Sequence, residues 1–270
     1  MKTANVSVLA AAVTGSMLLV GQATAATVTA DYITYTGGTA SGSVQIVAPP
    51  GAMTGASGGG GIFQFVRTAS SGSVPPLVSN AAGQFLGICL ELSETLIDPA
   101  TYTFDDLGAA PINGSFAPVM SAAGKTGSRA DDLRRLLGHV LPNFAGAIQN
   151  TTVVGITADQ AKLALQLAVW EIANENFGAA AGQFAYDLGT GYLRITSANA
   201  NAVTQASAWL AALNSGWTPL NNVFALINTR VPGQDFVVQV VPIPAAAWLL
   251  GSGLLGLFGL ARRKQAAAAA

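Results

Sequence analysis

The stretch Leu163–Ile172, LALQLAVWEI, lies inside a run from Thr157 to Asn174 that reads as one helix. Thr157 and Gln160, in TADQ, make a capping box at its start, and the residues that follow are almost all good helix formers. Gln166 breaks the pattern. Side chains three and four apart share a helix face, so Gln166 lies with Leu163, Val169 and Trp170 in an apolar neighbourhood. An amide there must find a partner or carry the cost of desolvation. The chain holds one cysteine, Cys89, and the reading turns on whether these two residues meet.

Working outward, QFLGICLEL at 84–92 is the clearest strand. With period two, Leu86, Ile88, Leu90 and Leu92 form one face and Phe85, Cys89 and Glu91 the other. The fully apolar face is expected against the sheet core, which leaves Cys89 on a face that a helix covers. Shorter strand candidates are Val28–Tyr35, Val44–Val47, Ile62–Val66 and Thr101–Asp105, separated by small-residue loops such as PPGAMTGASGGGG. From Ser128 the period changes. SRADDLRRLLGHVLPNF places Leu133, Leu136, Leu137 and Val140 on one stripe, and Pro142 ends it. A last helix is expected over Ser197–Leu213 and a strand-like run at FVVQV, 236–240. The fold class predicted is α+β, with a β-rich first half and a helical second half.

The two ends carry export signals. Met1–Ala25 has Lys2, an apolar core from Val6 to Val20 and a small-residue site at Ala23–Ala25, the pattern of a signal peptide. Ala245–Ala261 is uncharged and is followed at once by Arg262, Arg263 and Lys264. As a helix it would be about 25 Å long, enough for a bilayer core, with the basic cluster held on the cytoplasmic side. The expected organisation is a signal peptide at 1–25, an exported domain at 26–240, a sorting segment at 241–264 containing a membrane helix at 245–261, and an unstructured tail at 265–270.

Composition agrees with export. Hydrophobic residues are 51% of the chain and charged residues only 9%, and a formal charge of -1 gives no electrostatic footprint for nucleic acid. One Cys and one His, His139, do not complete a structural metal site, and neither has a protease signature around it. Neither a metal nor a cofactor is expected. A single cysteine in an exported chain forms no internal disulfide, which leaves a buried inert thiol, an intermolecular bridge, a nucleophile or an internal acyl link. A thiol attacking a held carboxamide expels ammonia and leaves a thioester, which persists where packing excludes water. Trp170, one turn beyond Gln166, is a natural shield for it. Gln205, in TQASAW, is a second candidate amide with less fitting spacing.

Two resemblances extend this reading. VPIPAAAWLLGSGLLGLFGLARRK, at 241–264, resembles the PEP-CTERM sorting signal of exported proteins from Gram-negative bacteria that make extracellular polysaccharide. The resemblance implies that Val241, Pro242, Pro244 and the basic cluster Arg262, Arg263 and Lys264 are read by a membrane protease of the exosortase type. Ile243 stands where the name-giving form has Glu. Cys89-Leu90-Glu91 with Leu165-Gln166-Leu167-Ala168-Val169-Trp170 resembles the paired motifs of thioester domains on bacterial surface proteins, a Cys followed by x-Glu and a TQxAIW-like helix. Leu165 replaces the usual Thr. That resemblance implies a Cys89–Gln166 thioester, with Glu91 and Trp170 supporting or shielding it, that captures an amine on a neighbouring surface. The function expected is a non-enzymatic adhesion or matrix protein at the cell surface or outside the cell, with amine-bearing molecules and exopolysaccharide as partners. The alternative is a non-covalent structural or binding protein of the exopolysaccharide matrix whose cysteine is buried and inert.

Overall fold

The computed structural model describes residues 26–36, 43–44, 56–57, 60–91, 94–108, 129–175, 186–190, 194–195, 198–213, 216–230 and 232–242. The expected signal peptide, the membrane helix at 245–261, Pro244 and the cluster Arg262–Lys264 lie outside these residues. Among the described residues no helix is long and apolar enough to cross a membrane.

Among the described residues the elements follow in the order β1 (Thr27–Thr36), β2 (Ser43–Val44), β3 (Ala56–Ser57), β4 (Ile62–Ser71), β5 (Gln84–Cys89), β6 (Ala100–Asp106), α1 (Arg129–Val140), α2 (Ala158–Asn174), α3 (Ala200–Ala212), β7 (Val223–Asn228) and β8 (Phe236–Gln239). Six of the strands close into an antiparallel barrel in the order β1-β4-β5-β8-β7-β6, and β2 and β3 pair separately. The expected α+β arrangement, strands first and helices second, is therefore corrected to a closed barrel among the described residues. The chain makes four barrel strands, crosses through three helices, and returns to insert β7 and β8 between β6 and β5. Closure leaves none of the six strands with an unpaired edge.

The reason β7 escapes a reading of periodicity lies in its surroundings. Along VFALIN, Leu226 packs in the barrel interior while Val223 and Ala225 pack under the helices. Both faces are buried, so the apolar-polar alternation that marks a half-buried strand is erased.

Two cores result. One fills the barrel with stacked and edge-on aromatic rings, among them Phe65 against Phe85 at 5.1 Å, Phe65 against Phe236 at 4.9 Å and Tyr102 against Phe236 at 6.0 Å. The other joins the outer face of β5, β7 and β8 to the three helices through Leu86, Ile88, Ala225 and Val237. The strand faces are thus the reverse of the expected ones. Helices cover the Leu86, Ile88 and Leu90 face, and Cys89 belongs to the barrel interior with Phe85.

Helix α2 is buried on every side from Leu163 to Asn174 and packs on α1, α3 and β5. Its entry is the capping box anticipated from TADQ, with Thr157 accepting from Gln160 N at 3.2 Å and Gln160 Oε1 accepting from Thr157 N at 2.9 Å. Helix α1 lies on the segment 218–220, where Leu220 N donates to Arg134 O at 2.8 Å. Gly138 permits that approach, since a Cβ there would stand 2.3 Å from Thr218 O.

Gly138→Ala therefore sets two effects in opposition. Helix propensity gains about 1 kcal/mol, while forcing main chain away from main chain in a packed core costs about 1–3 kcal/mol. The contact is with backbone that cannot rotate aside, so net destabilisation is expected. A lower urea midpoint with unchanged slope would show it.

Candidate functional site

Strand β5 stops pairing at Cys89, which sits opposite Phe236 of β8. Just beyond, the main-chain carbonyls of Cys89 and Leu90 are buried under α2 and need donors. Two amide side chains of the helix supply them. Gln166 Nε2 donates to Cys89 O at 2.7 Å, and Asn174 Nδ2 donates to Leu90 O at 3.0 Å and to Trp170 O at 2.9 Å. Gln166, Trp170 and Asn174 are four residues apart, so they form one stripe laid along the end of β5.

Cys89 and Gln166, predicted to meet, are brought together here, both with no exposed surface. Cys89 Sγ donates to Glu91 O at 2.9 Å. Burial pushes the thiol up to about 12, outweighing the contact with the Glu91 backbone that acts the other way. Gln166 Oε1 is buried without a hydrogen-bond partner, and so is Trp170 Nε1. Gly60 closes the other side of the amide, because a Cβ there would come within 2.7 Å of Gln166 Cγ.

Glu91, expected to support or shield the thioester, is fully buried, and its carboxyl is part of a group that sequence reasoning missed. Glu91 Oε2 accepts from Asp235 N at 3.1 Å, Glu94 Oε2 from Gly233 N at 2.6 Å, and Asp235 Oδ1 from Asn228 N at 2.7 Å. Each carboxyl keeps its second oxygen buried and away from any N–H or O–H donor. A proton on one carboxyl, directed at the next, is what satisfies such oxygens. Burial, then the neighbouring Asp235, raises Glu91 to about 9, and burial raises Asp235 to about 7 and Glu94 above its ordinary value. Among the described residues no group of three or more His, Cys, Asp or Glu side chains is arranged to hold a metal ion. The clue in the sequence was Asp235, a charge standing directly before the apolar run FVVQV in a chain poor in charge.

The remaining candidates are used structurally. Gln205 Oε1 accepts from Thr152 N at 2.7 Å, Val153 N at 2.8 Å and Thr152 Oγ1 at 3.3 Å, which fastens a loop to α3. His139 stacks flat on Trp217 with ring centroids 3.8 Å apart. Glu171 is buried and accepts from Asp187 N at 2.8 Å. Val241 and Pro242, from the expected sorting motif, line a cavity of about 470 Å³ with Val78, Pro142, Leu220 and Gln239. That cavity lies at the far end of β8 from Cys89.

No protein family, curated protein or solved structure matches the chain.

The raised carboxyls link stability to pH. The folded chain keeps its protons to about 7 on Asp235 and about 9 on Glu91, whereas the unfolded chain releases them in the ordinary carboxylate range. The native state then binds more protons throughout that window, so stability falls as pH rises across it. Glu91→Gln, which can still accept from Asp235 N and donate to Glu94, should remove part of the decline. Glu171, raised to about 8 chiefly by burial, leaves the rest in place. Urea midpoints of both proteins from pH 5 to pH 9 test this, and parallel curves would show that Glu91 is not the group responsible.

Proposed function

We propose that the chain is an exported surface or matrix protein that attaches covalently to amine-bearing partners through a thioester between Cys89 and Gln166. The observation that carries the reading is the 2.7 Å bond from Gln166 Nε2 to Cys89 O, which seats a fully buried carboxamide beside the only cysteine of the chain. Gln166 Oε1 is left buried without a hydrogen-bond partner beside it.

The chemistry balances within the chain. Cys89 Sγ attacks Gln166 Cδ, a carbon–sulfur bond forms, the bond to Nε2 breaks, and the thiol proton leaves with the nitrogen as ammonia. A primary amine later attacks the same carbon. The new carbon–nitrogen bond replaces the carbon–sulfur bond, and the proton that the amine gives up returns to sulfur. Each chain reacts once, so the process is capture and not turnover. Burial supplies the dryness that keeps the bond latent, and close packing at Gly60 confines the Gln166 side chain. The sorting segment places this chemistry outside the cell, with an exosortase-type protease as processing partner and exopolysaccharide as the surrounding matrix.

One observation favours a second reading. The Cys89 thiol is fully buried, hydrogen-bonded to Glu91 O and pushed up to about 12, which are the properties of an inert core cysteine. On that reading the protein is a non-covalent component of the matrix.

Intact mass of the purified full chain separates the two. The thioester reading expects wild-type protein one ammonia lighter than its processed sequence and able to add methylamine. Cys89→Ala should have the full mass and add nothing. Wild-type protein at the full mass, with a thiol that titrates only after unfolding, would overturn the thioester reading and leave the non-covalent one.

A further inference from the structure

The cavity at the far end of β8 from Cys89 is the place where the described chain leaves the domain. Val241 and Pro242, the last described residues, form part of its wall with Val78, Pro142 and Leu220. Every described residue that lines it is uncharged. Val241 is 41% exposed, and Pro242 is exposed beside it.

The exit is fastened to that wall from several sides. Val241 N donates to Pro76 O at 2.8 Å and Val78 N to Gln239 O at 2.7 Å. Asn222 Nδ2 donates to Val240 O at 2.6 Å, and Gln239 Nε2 to Pro142 O at 2.8 Å. The chain therefore reaches Pro242 as a firm part of the fold.

Two lengths then decide where the wall sits. The uncharged run Ala245–Ala261 makes about 25 Å of helix, short of a hydrocarbon layer about 30 Å thick. None of it is left over to stand above the bilayer, so Ala245 is drawn to the hydrocarbon boundary. From Pro242 to Ala245 the chain spans at most about 10 Å. The headgroup layer is itself about 5–7 Å thick. A wall tied to Pro242 is thus held within or against the headgroups, and its lining brings no charge that contact would desolvate.

We propose that this uncharged wall is a bilayer-docking surface, on which the domain rests while the chain is anchored. The proposal rests on the reading of 245–261 as a membrane helix and is independent of the thioester. Val241, Pro242 and Leu220 meet the lipid headgroups. With no charge on the wall, contact is driven by covering apolar side chains, and zwitterionic lipid suffices.

The test uses the full chain in phosphatidylcholine vesicles that carry a nitroxide on the lipid near the headgroup. A fluorophore is attached through Asn143→Cys, since Asn143 lines the cavity and is exposed, while the native Cys89 is fully buried and stays unlabelled. Asn143 Oδ1 accepts from Ala145 N, so Ala145→Cys, on the same wall and also exposed, serves if that turn proves necessary for folding. Arg230→Cys, exposed just beyond the other end of β7 and about 20 Å away along that strand, is the comparison. Docking predicts several-fold stronger quenching at 143 than at 230, and equal quenching overturns it. A label at 143 that is shielded from aqueous iodide yet not quenched by the lipid also overturns it, and shows that protein fills the cavity instead. Chain that washes off the vesicles in alkaline carbonate refutes the membrane helix and the docking surface with it. Chain that stays bound with equal quenching at the two positions refutes the docking surface alone.

Discussion

The structure depends on how two main-chain carbonyls are satisfied where a barrel strand ends beneath a helix. Strand pairing of β5 ceases at Cys89, yet the chain there remains buried, and water cannot take the place of a neighbouring strand. The helix therefore lends Gln166 and Asn174 from its own surface. This fixes the rotation and height of α2 against β5 to within the tolerance of a hydrogen bond. An apolar helix sliding on an apolar sheet has no comparable register mark. The residue set down beside the cysteine is thus determined by the same contacts that dock the helix.

Closure of the barrel supplies the other half of the arrangement. Pairing of β5 with β8 brings Asp235 alongside Leu90 and Glu91, across a separation of 144 residues. Three carboxyls then meet in a dry place, where none can ionise cheaply and where each is held by one main-chain N–H. The group ties the segment after β5 to the turn between β7 and β8. It also surrounds Cys89 with acids, so the end of the barrel disfavours negative charge on sulfur.

What the sequence disclosed follows from where each signal is stored. Local signals survived, namely the capping box at Thr157, the helical stripe ending near Pro142, the strand at Gln84 and the odd amide at Gln166. These depend on residues within a few positions of one another. Signals that depend on burial from two sides did not survive. VFALIN lost its alternation because both of its faces are covered, and Cys89 was assigned to the wrong side because a barrel has an interior as well as a helix-covered exterior. Gln166 was legible as an amide in need of a partner, and the partner it meets is the main-chain O of Cys89. The carboxyl group was not, because nothing near Glu91 in the chain announces Asp235.

The two ends of β8 are different places. Phe236 pairs with Cys89, and Gln239 leads within three residues to Val241 and Pro242, where Val241 N is fastened to Pro76 O at 2.8 Å. A strand of this length carries the chain roughly 10 Å. The backbone therefore enters β8 at the pole that holds the cysteine and leaves at the opposite one. Anything that grips the molecule downstream of Pro242 holds it by its base, with the Cys89 pole pointing outward. Reach is built into the direction of a single strand.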